Sequence, residues 1–490
     1  MTNPPNLLLL FCDQLRADVL GCYGHPFAVT PAMDGLAARG TVYDRAYTPS
    51  PVCVPARASL VFGAEPGETG CYENGYPMPA DRPSMMRVLS DAGYRTHGVG
   101  KMHFTPDPYA PWGFQTRDIG EEFGSAEHDD YLRFLADRGY HHVERPHGLR
   151  DEMYYVPQLS PVPEPLHYSH WVADRSLAFL RAREPGEPFF LWSSFIHPHP
   201  PFAPPSPWHR LYQPSLMPPP RRVPGEAGLM TVHNLKQNRY KFRDGGEDRR
   251  LLQLIQAYYL ACVSFVDAQI ARILAEVPED TVVVLSADHG EFLGDYGYFG
   301  KRSFLDPAAR VPLVVAGPGF AAGERSDELA SLVDIAPTLL AAAGITPETK
   351  PLPHVRRETL FGQLQTGGSG LYLTLTRRWK YVYSAADRRE YLIDKLRDPG
   401  ETTNVAYNVH CRDALLSMRE RAAGHFPELA GTGFDTANVP LALGAPDEAE
   451  TLAVIARDPD GGFLTIPDDD VAPDETFAEY RTRYREGEKS

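Results

Sequence analysis

The segment of this sequence best suited to chemistry is Pro51-Val-Cys53-Val-Pro55-Ala-Arg57-Ala-Ser-Leu. Pro55 stands where the first turn of a helix would begin, and the residues ARASLVFG predict a short helix. Cys53 would then lie at a helix N-terminus, where the helix dipole stabilises negative charge, with Arg57 one turn further on. The pattern therefore predicts an anion site beside a potential nucleophile.

Two other interpretations of Cys53 start from the same residues. A buried structural cysteine next to a helix-capping proline has the same local pattern, and a five-residue motif in isolation favours it. A thiol phosphatase also combines Cys and Arg, but on a phosphate-binding loop longer than the one between Cys53 and Arg57. The catalytic interpretation therefore depends on other residues that converge on Cys53.

Two pairs of metal-competent side chains follow predicted strands. Asp13 and Gln14 end the apolar run 7–11, and Asp288 and His289 follow the run TVVVLS. Short continuous apolar runs are typical of strands buried on both faces of a parallel sheet. Because the carboxyl ends of parallel strands meet at one edge, both pairs can converge at a switch point of one sheet. Taken singly, an Asp after a strand is more often a turn or cap residue.

Further segments carry side chains suited to binding an anion. A Lys-x-His pair or a loop lysine in isolation is ordinarily solvated surface, and Asn-Gly is also a turn signal. His197 is either a neighbour of the site or a packed residue. The candidates are Lys101 and His103 after the apparent strand THGVG, His199 in FIHPHPPF, Lys301 in YFGKRS and Asn74 in CYENG.

The elements that must position these residues alternate along the chain. Strand-like runs recur at 189–195, 281–286 and 311–316, separated by helical patterns at 251–277 and 331–343. Thr30, Pro31 and Gly40 bracket a helix over TPAMDGLAARG with a cap, a first-turn proline and a terminating glycine. This alternation predicts an α/β sandwich with a mostly parallel central sheet. The stretches 105–188 and 198–224 are predicted to be loops over the sheet edge, where pockets are built.

A change of pattern near Gly367 to Gly370 predicts a second, smaller unit. LYLTLT and WKYVY then alternate with period two, which is typical of antiparallel strands. We predict a catalytic α/β domain over 1–368 and a C-terminal subdomain with a small antiparallel sheet over 369–490. From about 459 the sequence is acidic and turn-rich, which predicts a tail that is mobile alone or ordered by a partner subunit in a homo-oligomer.

Composition limits the partners of this protein. The 48 basic and 64 acidic residues give a formal net charge of −16, and no Lys/Arg-rich run could track a phosphate backbone, so no nucleic acid is expected. No segment reaches the ~20 uninterrupted apolar residues of a membrane span. The 6 cysteines form neither a disulfide framework nor a CxxC zinc site, and the first apolar run is too short for a signal peptide. We therefore expect a cytoplasmic protein with reduced thiols.

Taken together, the motifs resemble those of the formylglycine-dependent (type I) sulfatases of the alkaline phosphatase superfamily. The similarity runs in order from about Asn6 to Ala406, and it is close to choline-sulfatase-like and phosphonate monoester hydrolase-like members. Its elements are CxPxR at 53–57, GK-x-H at 100–103, PH-x-PF at 198–202, the distal lysine Lys301, both strand-end pairs, and the segment EYLIDKLRDPGETTNVA.

The resemblance implies a modified cysteine and a metal ion. In that family a formylglycine-generating maturation enzyme oxidises the signature cysteine, so Cys53 would become formylglycine, whose hydrate attacks sulfur. One divalent cation would be bound by residue 53 together with Asp13, Gln14, Asp288 and His289. Many sulfatases have a carboxylate where Gln14 stands and an amide where His289 stands. Since an imidazole softens an oxygen site, manganese is an alternative to calcium.

The resemblance also assigns roles to the remaining candidates. Arg57, Lys101, His199 and Lys301 would bind the sulfuryl oxygens. His199 would help to protonate the departing oxygen, and Lys301 would stabilise the charge that develops on it. His103 would accept a proton as the hydrate intermediate collapses, and Asn74 would line the pocket.

The function implied is hydrolysis of a small-molecule sulfate monoester. A phosphonate monoester or phosphodiester hydrolase is an alternative, because these substrates share a single negative charge at a tetrahedral centre. A non-catalytic binding protein on the same scaffold is another alternative, and it would keep an unmodified thiol at Cys53.

Overall fold

The computed structural model describes residues 4–436 except 123, 151–153, 185 and 242–247. Its main sheet, within these residues, contains β1 (Leu7–Cys12), β2 (Gly40–Tyr47), β3 (Arg95–Gly100), β4 (Thr116–Ile119), β5 (Phe189–Phe195), β6 (Val282–Ala287), β7 (Leu313–Ala316) and β8 (Glu324–Ser331). The strand order is β4-β3-β5-β1-β6-β7-β2-β8. Only β7, among these described strands, runs antiparallel to its neighbours. The prediction of a mostly parallel sheet is confirmed.

Helices cover both faces of this sheet, because strands that are apolar on both sides must be buried on both sides. The helices of one layer are α1 (Pro31–Ala38), α6 (Tyr168–Arg181) and α8 (Arg249–Leu274), and those of the other are α2 (Cys53–Phe62), α4 (Met85–Asp91) and α10 (Ile335–Ala342). The shorter helices α3 (Pro66–Thr69), α5 (Asp130–Ala136), α7 (Val232–Lys241) and α9 (Asp306–Ala309) lie in the connections. The α/β sandwich predicted from the alternation of elements is confirmed.

Helix α8 is long and apolar enough to span a membrane by length and composition alone. However, 67% of its most apolar window is buried inside the protein. It packs on α1 and α6, which is the environment of a core helix.

Gly40 has a different role from the one predicted. Helix α1 ends with Arg39 as its C-cap, and Gly40 instead opens β2. A Cβ atom at Gly40 would lie 2.4 Å from the carbonyl oxygen of Val315 on β7. The glycine is therefore needed for the close approach of β2 and β7 rather than for ending the helix.

A separate antiparallel sheet follows, in the order β12-β11-β10-β9 within the described residues. It contains β9 (Thr359–Leu364), β10 (Leu371–Thr376), β11 (Trp379–Ser384) and β12 (Arg389–Asp394), and α11 (Arg412–His425) packs on β10 and β11. The small antiparallel sheet is confirmed, and its first strand already begins before position 368. The predicted tail from about 459 lies outside the described residues.

Candidate active site

Strand register brings the two predicted strand-end pairs together. Cys12, the last residue of β1, pairs with Ala287, the last residue of β6. Asp13 and Asp288 therefore leave the sheet side by side at its carboxyl edge. The backbone N–H of Gln14 donates to Asp288 Oδ1 at 3.0 Å, which closes the contact between the two strand ends.

Cys53 lies at the start of α2, over the same sheet edge. Its Sγ atom is 2.9 Å from Lys301 Nζ, 3.3 Å from His289 Nε2 and 3.9 Å from Asp13 Oδ1. The residue is fully buried. The structure therefore brings the candidate nucleophile, both strand-end pairs and the distal lysine into one cluster.

Arg57 contacts carboxylates rather than the space in front of Cys53. Its Nη2 atom donates to Asp13 Oδ2 at 3.1 Å and its Nε atom to Asp288 Oδ2 at 3.0 Å. Its Nη1 atom donates to the carbonyl oxygen of Lys101 at 2.8 Å. The guanidinium thus holds the two acids next to each other, and the binding of sulfuryl oxygens by Arg57 stays a prediction.

The electrostatics of Asp288 follow from these neighbours. Burial raises the pKa of a carboxyl group, but His289 and Arg57 outweigh it and hold the pKa of Asp288 well below its ordinary range. The group is therefore an anion at neutral pH, as a metal ligand must be.

Lys101 and His103 follow β3 at the same edge. Lys101 Nζ lies 2.7 Å from Asp13 Oδ2 and also donates to Glu122 Oε2. The backbone N–H of His103 donates to Glu121 Oε2 at 3.1 Å, and its half-buried side chain is close enough to lower the pKa of Glu122. Lys101 thus joins the Cys53 cluster through Asp13, whereas His103 lies at its rim.

His199 joins the cluster through Glu122, which also accepts a hydrogen bond from Lys101. Its Nδ1 atom is 3.1 Å from Glu122 Oε1 and 2.7 Å from the carbonyl oxygen of Pro200, and its Nε2 atom is 3.4 Å from the Tyr154 hydroxyl. Burial lowers the pKa of His199 well below its ordinary value, despite Glu122. The ring is therefore neutral, and its one N–H lies on Nδ1, which faces the acceptor oxygens of Glu122 and Pro200.

His197 packs in the interior. Its Nδ1 atom lies 3.4 Å from Ser169 Oγ, and its ring centroid lies 4.7 Å from that of His167. Of the two interpretations of His197, the structure favours the packed residue.

We expect His197 to make the stability of the fold depend on pH. Burial lowers its pKa to about 4, below the ordinary value of about 6.5. The unfolded chain binds the proton more readily than the folded protein does. The contribution of neutral His197 to the free energy of unfolding is therefore complete above about pH 6.5 and is lost as the pH falls toward about 4. His197→Phe should reduce the slope of unfolding free energy between these values by up to about 1.4 kcal/mol per pH unit. Urea titrations across this window measure it, with the exposed His128→Phe as control. An unchanged slope in His197→Phe would contradict the assignment.

Asn74 supports the nucleophile helix. Its Oδ1 atom accepts a hydrogen bond from the backbone N–H of Val54 at 2.9 Å, next to Cys53. This contact gives Asn74 a capping role at the first turn of α2, and its predicted place in the pocket lining stays a prediction.

Replacing Asn74 tests this capping role. Asn74→Ala should lower the free energy of unfolding by about 1 kcal/mol, the usual cost of a lost helix cap. Asn74→Asp keeps an acceptor oxygen and should recover most of the loss. Chemical denaturation of the three proteins checks this, and equal destabilisation by Ala and Asp would show that the hydrogen bond to Val54 is not what matters.

Several residues of the cluster were missed from the sequence. Glu122, Arg150 and Tyr154 surround His199, and Glu291 accepts a hydrogen bond from Gln14 Nε2. Glu122 follows β4, so it shows the same pattern as Asp13 and Asp288, an acid just beyond a strand. Arg150 and Tyr154 come from a long connection without periodicity, and no local pattern marks them.

The donor set fits one divalent cation. Ligand atoms from Asp13, Cys53, Asp288 and His289 lie within 4.8 Å of one another, and all four residues are buried. Arg57 takes the Oδ2 atom of each acid, while both Oδ1 atoms face His289 Nε2 at 3.9 and 3.6 Å. Spacings of this size are expected around a cation with ligands at about 2.0–2.6 Å.

Comparison with known proteins agrees with this site. The sulfatase family model matches residues 5–345. An arylsulfatase of Clostridium perfringens is 30% identical over 455 residues, covering 85% of this chain and 93% of its own. A choline-sulfatase of Rhizobium meliloti is 30% identical over 464 residues, covering 87% of each chain. The crystal structure of a phosphonate monoester hydrolase of Agrobacterium radiobacter superposes with a TM-score of 0.73 at 25% identity, over 85% of this chain and 96% of its own.

The chain therefore belongs to the sulfatase family, within the alkaline phosphatase superfamily, and it is a sulfatase enzyme. The family resemblance stated from the motifs is confirmed.

Proposed function

We propose that this enzyme hydrolyses small-molecule sulfate monoesters through a formylglycine made from Cys53. The observation that carries the proposal is the position of Cys53 at the start of α2, with Lys301 Nζ, His289 Nε2 and Asp13 Oδ1 within 3.9 Å of its sulfur. A cysteine kept only for packing does not need a lysine and two metal-competent groups around it.

The proposed reaction has two steps. First, one hydroxyl of the hydrated aldehyde attacks sulfur, the bond from sulfur to the ester oxygen breaks, and the alcohol leaves with a proton. Second, the remaining hydroxyl loses its proton, the carbon–oxygen bond to the sulfate breaks, and sulfate leaves as the aldehyde re-forms. Water then hydrates the aldehyde. The second step explains the need for an aldehyde, because it releases sulfate without a second attack at sulfur.

The chain's own residues divide this work. Lys101 and Lys301 supply positive charge near residue 53, and His199 lies beside Lys101 through their shared contact with Glu122. Arg57 favours the ionised forms of Asp13 and Asp288 and holds the two carboxylates next to each other. A divalent cation bound by Asp13, Gln14, Asp288 and His289 would supply Lewis-acid polarisation, and either calcium or manganese suits this mixed donor set.

The proposal also covers the maturation, location and assembly of the enzyme. A formylglycine-generating enzyme would act on Cys53. The scattered thiols support a cytoplasmic location, and the acidic C-terminal sequence supports assembly into a homo-oligomer.

A phosphonate monoester hydrolase is the second candidate function. It is favoured by the TM-score of 0.73 with the Agrobacterium radiobacter enzyme and by an imidazole at position 289. Both activities use a monoanionic tetrahedral substrate, so the fold and the cluster suit either.

Turnover of phenyl sulfate, methyl phenyl phosphate and phenyl methylphosphonate on one preparation tests the proposal. We expect phenyl sulfate to have the highest kcat/KM. A higher value for the phosphonate would favour the second candidate. Mass spectrometry of the peptide containing Cys53 accompanies the assay: an unmodified thiol in a cell able to install formylglycine, with no turnover of any ester, would favour a non-catalytic binding protein.

A further inference from the structure

Glu122 lies in the middle of the groups that would bind the substrate anion. Its Oε2 atom accepts from Lys101 Nζ, and its Oε1 atom lies 3.1 Å from His199 Nδ1 and accepts from Arg150. Its side chain is only 5% exposed. A fixed carboxylate thus shares the donor Lys101, whose ammonium has three N–H groups, with the sulfuryl group of a bound ester.

Glu122 is an anion in this environment. Burial raises the pKa of the group, but Arg150, His199 and Lys101 outweigh burial and hold the pKa of Glu122 well below its ordinary range. Its negative charge therefore offsets part of the positive charge that Lys101 and Arg150 bring to the site. The side chain also forms a wall of a cavity of about 310 Å³, which Glu144, Arg150 and His147 line as well.

A fixed negative charge at this place distinguishes ligands by their charge. Sulfate monoesters, phosphodiesters and phosphonate monoesters each carry one negative charge. A phosphate monoester carries two above its second pKa of about 6. In a buried site of low effective dielectric constant, the repulsion from a neighbouring carboxylate grows with each added charge.

We propose that Glu122 is a specificity-determining residue that selects monoanionic esters and rejects dianionic phosphate monoesters. The proposal rests on the proposed function, since it concerns the anion that the same lysine binds. It predicts that the charge of the substrate, rather than the identity of its central atom, decides what Glu122 excludes.

The experiment compares three phenyl esters on each enzyme preparation near pH 8: phenyl sulfate, methyl phenyl phosphate and phenyl phosphate. The first two are monoanions and the third is a dianion. In Glu122→Gln, kcat/KM for phenyl phosphate relative to phenyl sulfate should rise at least about tenfold. The ratio for methyl phenyl phosphate should stay within about twofold of the wild-type value. Ratios on one preparation are independent of the fraction of enzyme that carries formylglycine.

Two variants serve as controls. Glu144→Gln removes one negative charge from an exposed residue that lines the same cavity, and it should leave both ratios unchanged. Glu122→Asp keeps the charge and should keep the wild-type rejection of phenyl phosphate even if its overall rate falls. If phenyl phosphate is not turned over, its competitive inhibition constant against phenyl sulfate is measured instead, and it should fall at least about fivefold in Glu122→Gln only.

Three outcomes would overturn the proposal. Unchanged ratios in an active Glu122→Gln would make Glu122 a structural residue. An equal rise in kcat/KM relative to phenyl sulfate for both phosphorus esters would show that Glu122 discriminates by the central atom rather than by the charge of the substrate. An equal rise of the phenyl phosphate ratio in Glu144→Gln would show that the change follows the net charge of the protein rather than the position of Glu122. Absence of phenyl sulfate turnover in wild-type enzyme with formylglycine verified by mass would instead refute the proposed function itself.

Discussion

Cys53→Ser should reduce steady-state turnover of phenyl sulfate by at least about a thousandfold while leaving the fold intact. A serine hydroxyl can attack sulfur once, but the product is a serine sulfate ester without a second hydroxyl on the same carbon. Sulfate could then leave only through a fresh attack of water at sulfur. We therefore expect at most one equivalent of phenol per enzyme molecule, after which turnover stops because the serine sulfate ester persists.

The matched control is Cys71→Ser, because Cys71 is another fully buried thiol, placed outside the Cys53 cluster. It should retain the wild-type rate within about threefold, with a stability loss of about 1 kcal/mol. Intact mass must show that the introduced serine is unmodified in each of the two variants. Near-normal steady-state turnover by the Cys53→Ser protein would remove formylglycine from the mechanism.

Arg57→Met should lower the free energy of unfolding by about 3–5 kcal/mol at neutral pH in metal-free buffer. Arg57 is fully buried and pairs with two equally buried acids, Asp13 and Asp288. Removing the guanidinium takes away the one positive charge that contacts both carboxylates in the interior. Methionine fills much of the volume, so the loss reports the charges rather than a cavity.

The destabilisation by Arg57→Met should shrink as the pH falls. In the wild type the pKa of Asp288 is held well below its ordinary range, so its stabilising contribution is present above about pH 4 and is lost in stronger acid. In the variant the two acids lose the charge of Arg57, so their pKa values rise, and protonation then favours the folded state. Urea titrations of both proteins at about pH 7 and about pH 5 measure the shrinking difference, because the contribution of Asp288 in the wild type is constant over this interval.

Arg325→Met is the control for Arg57→Met. Arg325 pairs with Asp44 at the surface, where its side chain is 49% exposed. Its loss should cost no more than about 1 kcal/mol. A loss of that small size in Arg57→Met would show that the buried ion pairs do not hold the two strand ends together.

Local patterns in the sequence were enough to place much of the site. Apolar runs that end in an acid predicted β1 and β6 with Asp13 and Asp288 at the same sheet edge, because strand periodicity and the burial of parallel strands are local properties. Proline at the start of a helical pattern likewise predicted Cys53 at the N-terminus of α2. These inferences required no knowledge of which strands are neighbours.

Contacts between distant segments were not available from local patterns. Arg57 could be placed one turn beyond Cys53, but only the pairing of β1 with β6 shows that its guanidinium meets both Asp13 and Asp288. Asn74 looked like a pocket residue, and only the path of its loop brings it to Val54.

By itself, then, the sequence determined the fold class, the edge of the sheet where chemistry occurs, and the nucleophile with its metal-competent partners. Only the tertiary structure decided which cation neutralises which acid, and it alone brought Glu122 and Arg150 to His199. The physical reason is that hydrophobic periodicity is repeated along the chain, whereas a salt bridge between two irregular loops depends on strand order and loop path.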